Sequence, residues 1–316
     1  MTISEAVVAF LEGYFSTCRR SAKTRAAYTI DLEQLKEFLG PADVGSTTAE
    51  MLEEWALKLS DKAYAATSIR RKFATARVFF TYWVRKGVIE TSPLWRIRLD
   101  LGRQRLLPRA FAGSEAKALI ESAWRGLDVG ISPRSPSEEM FLRLRNVAAI
   151  EILFATGMRV GELVSLHLAD WNEHDNSFLI NGKGGRQRLG FLPDERSLAA
   201  VKAYIRARRQ VGCDIDALFL NVLGKRITTQ GVARVVTQQA KTAGIGVRIT
   251  PHMIRHTVAT LLLRFGTDIR VVQEVLGHAS IATTQRYTHV SKEHLLSALR
   301  ARHPSHHLSI DYKIAS

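Results

Sequence analysis

Apolar side chains return every three or four residues through most of the first ninety positions, as they do in helices with one buried face. From Ser21 to Leu39, Tyr28, Leu32, Leu35, Phe38 and Leu39 share a face, and Gly40-Pro41 stops the run. Thr47 and Glu50 spell a capping box ahead of Met51, Leu52 and Trp55. A longer stretch starts at Ser68, carries Ile69, Phe73, Val78, Phe79, Tyr82 and Trp83 on one side, and ends at Gly87. Its other side shows Arg70, Arg71, Lys72, Arg77, Arg85 and Lys86. The pattern predicts four short helices, the last pair presenting a basic face, although a merely solvated face is the commoner reading of any one such helix.

Residues 91–108 (TSPLWRIRLDLGRQRLLP) break this periodicity between Pro93 and Pro108. They carry Arg96, Arg98, Arg103 and Arg105, and read as a linker able to touch phosphates. Ser114 then caps a helix through Leu119 and Ile120, residues 123–139 with two Ser-Pro steps read as loop, and 145–168 read as helical. Residues 177–193 (SFLINGKGGRQRLGFLP) hold the strong strand signal: two apolar runs around a Gly-rich turn, hence a β-hairpin. Helices are expected at 195–210 and 228–244. Thr250-Pro251 supplies an N-cap and a first-turn proline for 251–265, which Gly266 closes. Asp268 to Leu276 forms another helix ended by Gly277. A short one runs from Ser280 through Tyr287, and a last from 291 to 303 before Pro304. The expected fold class is mainly α with a small β-sheet, an α+β architecture.

Composition narrows the class. The 316 residues suit two domains of ordinary size. Cys18 and Cys213 lie far apart, which excludes a disulfide scaffold and a cysteine-based zinc site, and fits a reducing compartment. The first residues lack a basic n-region, and no apolar run is long enough to span a bilayer, so a cytoplasmic location away from membranes is expected. The net charge is +15. Residues 1–108 hold 17 basic and 12 acidic side chains, and the remainder 28 and 18, so both halves are basic. A polyanion held by two domains explains this spread, and nucleic acid is the commonest polyanion, though a basic surface that only aids solubility explains the charge equally well.

Four segments bear chemistry: Thr156-Gly157-Met158-Arg159-Val160-Gly161-Glu162-Leu163; Gly182-Lys183-Gly184-Gly185; His252-Met253-Ile254-Arg255-His256; and Leu276-Gly277-His278 followed by Tyr287-Thr288-His289. In this order and spacing they resemble the tyrosine recombinase, or phage integrase, family. The first half also resembles that family's helical, SAM-like core-binding domain, in Ser21, Thr24 and Tyr28 and in the run RKGVIETSP. Two departures stand out: the SPRSPSEE segment at 132–139 is additional, and Met253-Ile254 replaces the commoner Asp-Leu.

The resemblance implies a core-binding domain at 1–92, a basic linker at 93–108, and a catalytic domain at 109–303 with its C-terminal helix at 291–303 and a tail at 304–316. The two domains together would clamp DNA. It implies six catalytic residues: Arg159, Lys183, His252, Arg255, His278 and the nucleophile Tyr287. It further implies strand cleavage through a 3′-phosphotyrosyl intermediate with neither metal nor nucleotide cofactor. The partner would be double-stranded DNA carrying specific recombination sites. Assembly would be a homo- or hetero-tetramer in which the C-terminal helix, with Leu295, Leu296 and Leu299 as its apolar face, docks on the next subunit. Because the chain starts with the core-binding domain, it is expected to lack the arm-binding domain of large phage integrases.

The residue types suit that reaction. Attack on a phosphodiester builds charge on the non-bridging oxygens, which forked, permanently charged arginines neutralise. His252 and Arg255 are three apart at a helix N-terminus, which itself attracts phosphate. A phenol of pKa about 10 needs a base such as His252, and the departing sugar oxygen needs a proton that Lys183 can give. Taken singly, each residue also has an ordinary structural account; taken together in this order, coincidence explains them poorly. A metal site from His252, His256, His278 and His289 lacks the HExxH glutamate, and Arg255 would repel the cation. The reading is a site-specific DNA recombinase of a mobile element, an integrase, transposase or resolvase. The alternatives are a Xer-type chromosome dimer resolvase, a type IB topoisomerase, and a DNA-binding accessory protein without catalysis. Arg70, Arg71, Lys72, Arg77, Arg96, Arg98, Arg103 and Arg105 are the candidate DNA contacts outside the catalytic set.

Overall fold

The computed structural model describes residues 1–18, 21–101, 111–128, 136–182, 185–212, 214–277, 297–299 and 301–304. The chain divides into two compact units, Met1–Arg105 and Leu106–Ser316.

The first unit is built from α1 (Ile3–Thr17), α2 (Ala22–Leu39), α3 (Ala49–Asp61) and α4 (Ala66–Arg85). Thr2 caps α1 in a capping box with Glu5, and Ser21 caps α2. The α3 cap is Thr48 rather than Thr47: its hydroxyl accepts from the Met51 amide at 3.4 Å. Burial of Leu52, Trp55, Ala56 and Leu59 fixes the phase of that helix, and the first turn follows from it. α4 begins at Ala66, two residues ahead of Ser68, with no side-chain cap. Its apolar stripe packs Phe73, Phe79 and Phe80 against Phe10, Leu32 and Trp55 in one core.

Two expectations need correction here. Lys72 is not on the basic face of α4. It lies three residues after Ile69 and four before Ala76, inside the apolar stripe, and is buried. Its ammonium donates to Asp31 Oδ1 at 3.2 Å and to Gln34, and sits 5.1 Å from the Tyr64 ring centroid. Asp31, itself buried, also accepts from Arg71 Nη1 at 2.6 Å and Thr75 Oγ1 at 3.0 Å. Likewise Leu94 and Ile97 are buried in the same core, so the start of the stretch read as linker packs as part of this unit. Arg70, Arg77, Arg96 and Arg98 are exposed; Arg103 and Arg105 lie outside the described residues.

The second unit surrounds α6 (Pro136–Thr156), which packs against α5 (Gly113–Asp128). Val147, Ala148, Ile150, Ile152 and Leu153 are all buried, so α6 is apolar on nearly every side. The expected loop at 123–139 is therefore shorter: α5 continues through buried Trp124 and Leu127, and Pro136 opens α6, where its missing N–H costs nothing. The helix expected at 145–168 is divided. Gly157, at φ +56°, ends α6, and α7 (Val160–Ser165) starts three residues later. A side chain at Gly157 would fall 2.5 Å from Leu276 Cδ2.

A three-stranded antiparallel sheet follows, β1 (Trp171–Asn172), β2 (Ser177–Asn181) and β3 (Gln187–Phe191), with Ser177 opposite Phe191 and Asn181 opposite Gln187. Then come α8 (Glu195–Gln210), α9 (Thr229–Thr242), α10 (Pro251–Arg264) and α11 (Ile269–Leu276). Thr250 caps α10 with proline in its first turn, and Gly277 closes α11 at φ +63°, a left-handed position that suits glycine. Of the last expected helix, 297–299 and 301–302 are helical. Leu299, expected on the face that docks on the next subunit, is instead buried in this unit's own core, and the His303 imidazole Nε2 is 3.0 Å from the Ala155 carbonyl. Leu295, Leu296 and the short helix expected at 280–287 lie outside the described residues.

Candidate active site

The α6–α7 turn, the α10 N-terminus, β3 and the α11 C-terminus meet around one carboxylate, Glu162. Arg159 stands at the N-cap of α7, and Glu162, three residues on, reaches back to accept from the Arg159 amide at 2.9 Å. Its other oxygen accepts from Arg159 Nη1 at 2.8 Å. Arg188 Nη2, from β3, donates to the first oxygen at 2.7 Å. Burial alone would raise the Glu162 carboxyl; the Arg188 hydrogen bond, the Arg159 amide and the two neighbouring charges outweigh it and hold the group below its ordinary value.

Arg255 enters from the first turns of α10. It is buried, and its Nη1 donates to the Gly157 carbonyl at 2.8 Å. Its Nη2 is also buried and has no hydrogen-bond partner among the described residues. Desolvation, and then the charges of Arg159 and Arg188, push its pKa down to about 10 against the pull of Glu162. It therefore stays a cation at neutral pH. Three guanidiniums thus face one carboxylate, an excess of positive charge at a partly buried place. The Arg159 side chain keeps 42% of its surface exposed, which leaves its charge available to an incoming anion.

Two arginines also hold the end of α11. Arg188 Nε donates to the Val275 carbonyl at 3.0 Å, and Arg159 Nη2 to the Gly277 carbonyl at 3.3 Å. These carbonyls belong to the helix end that lacks intrahelical donors.

Of the six residues expected to be catalytic, the structure brings Arg159 and Arg255 together. His252 is on the exposed side of the same α10 turn that buries Arg255. Lys183, His278 and Tyr287 lie outside the described residues; Gly182 and Gly185 bracket the first, and Gly277 precedes the second. The other contributors to this cluster were not assigned from sequence. Glu162 was legible as the third residue after a helix start, the capping-box position. Arg188 was legible only through strand alternation, which sets it on one face with buried Gly190 and opposite buried Ile180.

Residues 136–294 match the model of the phage integrase family, and residues 7–87 that of the phage integrase N-terminal SAM-like domain. The chain is 36% identical over 301 residues to the tyrosine recombinase XerC of Roseiflexus castenholzii, covering 92% of this chain and 90% of that protein. It is 32% identical over 305 residues to the tyrosine recombinase XerC of Listeria monocytogenes serotype 4a, covering 93% and 96%. Among solved structures, the Tn1549 transposon integrase in complex with circular intermediate DNA has a TM-score of 0.71 at 18% identity, covering all of this chain and 96% of that one. XerH bound to palindromic difH substrate has a TM-score of 0.68 at 22% identity, covering 97% and 82%. These two share the fold. The chain belongs to the phage integrase family of tyrosine recombinases, enzymes of site-specific recombination that cut and rejoin DNA strands through a tyrosine. Among the described residues, no helix is long and apolar enough to cross a membrane.

Proposed function

We propose that this chain recombines DNA for a mobile element, with Tyr287 as the nucleophile and Arg159, Lys183, His252, Arg255 and His278 around the scissile phosphate. The excess of guanidinium charge around Glu162 carries this reading. Arg159 is half open, and Arg255 holds a buried nitrogen without a partner among the described residues, an arrangement suited to two non-bridging phosphate oxygens.

The steps balance simply. The Tyr287 oxygen bonds to phosphorus as His252 takes its proton. The bond to the 5′-oxygen breaks, and Lys183 returns a proton to that oxygen. The products are a 3′-phosphotyrosine and a free 5′-hydroxyl. The 5′-hydroxyl of a partner strand then reverses the sequence, and the covalent bond conserves the energy needed for rejoining. His278 hydrogen-bonds the phosphate. The arginines stay protonated throughout, so the developing charge meets fixed cations and no solvent must reorganise.

Exposed Arg70, Arg77, Arg96 and Arg98, with Arg103 and Arg105, would hold the duplex by its phosphates. Synapsis would take four subunits, joined through the C-terminal segment. The identity to XerC proteins over nearly their whole length favours a second reading, resolution of chromosome dimers at a fixed site. Transfer of a marked DNA segment between unrelated targets, against recombination confined to one chromosomal sequence, separates the two.

The decisive assay uses a nicked duplex that loses its 5′-hydroxyl strand once cut. Wild type is expected to form a denaturant-stable adduct with DNA, and Tyr287→Phe to bind equally and form none. An adduct that persists in the Phe variant removes Tyr287 from its role.

A further inference from the structure

Arg188 is an enclosed cation of the cluster, with a side chain 8% exposed, and it belongs to none of the motifs from which the catalytic residues were read. One guanidinium bonds to two other elements. From β3 it reaches Glu162 of α7, the helix that Arg159 caps, and the Val275 carbonyl near the end of α11, just before His278 in sequence. β3 itself leads out of the turn that contains Lys183 in the sequence. The Gly277 backbone lies so close that a side chain there would stand 3.1 Å from Arg188 Cδ and Nη1.

We propose that Arg188 is a positioning residue for strand cleavage, acting by neutralising Glu162 so that the charge of Arg159 stays available to the scissile phosphate. This rests on the assignment of Arg159 and Arg255 to that phosphate. The electrostatics set the direction. Without Arg188, Arg159 is the hydrogen-bonding cation that Glu162 keeps among the described residues. The excess charge that an anion would meet falls by one unit. An arginine used only to hold the fold would cost stability when replaced by an apolar chain, because its loss strands the Glu162 charge, but it would leave cleavage per folded molecule unchanged. Here the charge, and not only the volume, is required.

The test compares Arg188→Met, which keeps length, with Arg188→Lys, which keeps charge. At saturating nicked duplex, Met is expected to slow adduct formation about 10- to 100-fold, a loss typical of misplaced groups near the chemistry. DNA affinity should stay within about threefold, and Lys should recover most of the rate. A methylphosphonate at the cleavage position removes the non-bridging charge, so on it the Met variant should approach wild type.

A Lys variant as slow as Met, an undiminished gap on the methylphosphonate, or a Met variant as fast as wild type overturns the proposal. Should Met fail to fold, Arg188→Gln, uncharged but able to donate to Val275, is read in its place. Wild type that forms no adduct overturns the catalytic assignment itself; wild type that forms one while the Arg188 variants match it overturns this inference alone.

Discussion

Asp31 in the first unit and Glu162 in the second are both buried carboxylates held by basic side chains, yet their surroundings differ in two respects. Around Asp31 there are two cations and the donors are accounted for: Lys72 spends its ammonium on Asp31, Gln34 and the Tyr64 ring, half-exposed Arg71 donates through Nη1, and Thr75 completes the set. Around Glu162 there are three guanidiniums, one half exposed and one with a buried nitrogen unpartnered among the described residues. A carboxylate with saturated partners locks two helices together. One with three cations and a donor left over among the described residues leaves a positive hole. The same residue types thus make a fastener in one place and an anion receptor in the other, and counting charges against donors distinguishes them.

The largest effect expected is on the fastener. Lys72→Met strands part of the buried Asp31 charge and should cost about 3–5 kcal/mol, the usual penalty for breaking a buried pair. Replacing both residues, Asp31→Leu with Lys72→Met, should recover most of that loss, because an apolar pair of similar volume fits the site. Urea unfolding checks both. Cleavage per folded molecule should be unchanged in either, and a catalytic loss beyond the loss of folded protein would erase the distinction between the two clusters.

The receptor should respond in the opposite way. Arg255→Met is expected to slow cleavage about 10²- to 10³-fold, as removal of one donor to a developing anion does. Stability should change far less than in the Lys72 variant, because the change relieves a desolvated cation beside two others. Single-turnover adduct formation with a thermal melt on the same sample tests this, and a stability loss as large as that of Lys72→Met would make Arg255 a second fastener.

Protonation sharpens the contrast further. The Glu162 carboxyl is held below its ordinary value, so its stabilising contribution is complete above that value and is lost as pH falls through the lowered one. The stability gap between wild type and Glu162→Gln should therefore be widest near neutral pH and close as the pH falls through the lowered value. Denaturant midpoints of both proteins across that range give the comparison, and a gap independent of pH would mean that the contacts of Glu162 matter and its charge does not.

Much of this architecture is legible in the sequence. The α10 start was explicit in Thr250-Pro251, the α11 end in Gly277, and the hairpin in its Gly-rich turn, because each depends on local backbone chemistry. What sequence reasoning misread depended on long-range partners. Lys72 looks solvated until Asp31, forty-one residues earlier, is seen beneath it. Arg188 looks like an ordinary strand residue until α7 and α11 close over it. The α5 boundary was misplaced because Ser-Pro steps suggest loop, whereas burial of Trp124 and Leu127 decides the matter. Arg159 and Arg255 were found by motif, but their opposite exposures came only with the fold.

The smallest effect concerns the outer face of α4. Arg70 and Arg77 are two helical turns apart and exposed, while Lys72 between them is buried. If this face follows a DNA backbone, each arginine that meets a phosphate releases counterions on binding. Arg77→Ala should then reduce the slope of log affinity against log salt by about 0.9, weakening all DNA sequences alike. Lys72→Met, measured under conditions where it stays folded, should leave that slope where it was, because its charge is spent inside the protein. Titrations at several salt concentrations decide between them. Equal slope changes in the two variants would mean that Lys72 reaches the DNA, and that the burial seen here does not describe the bound protein.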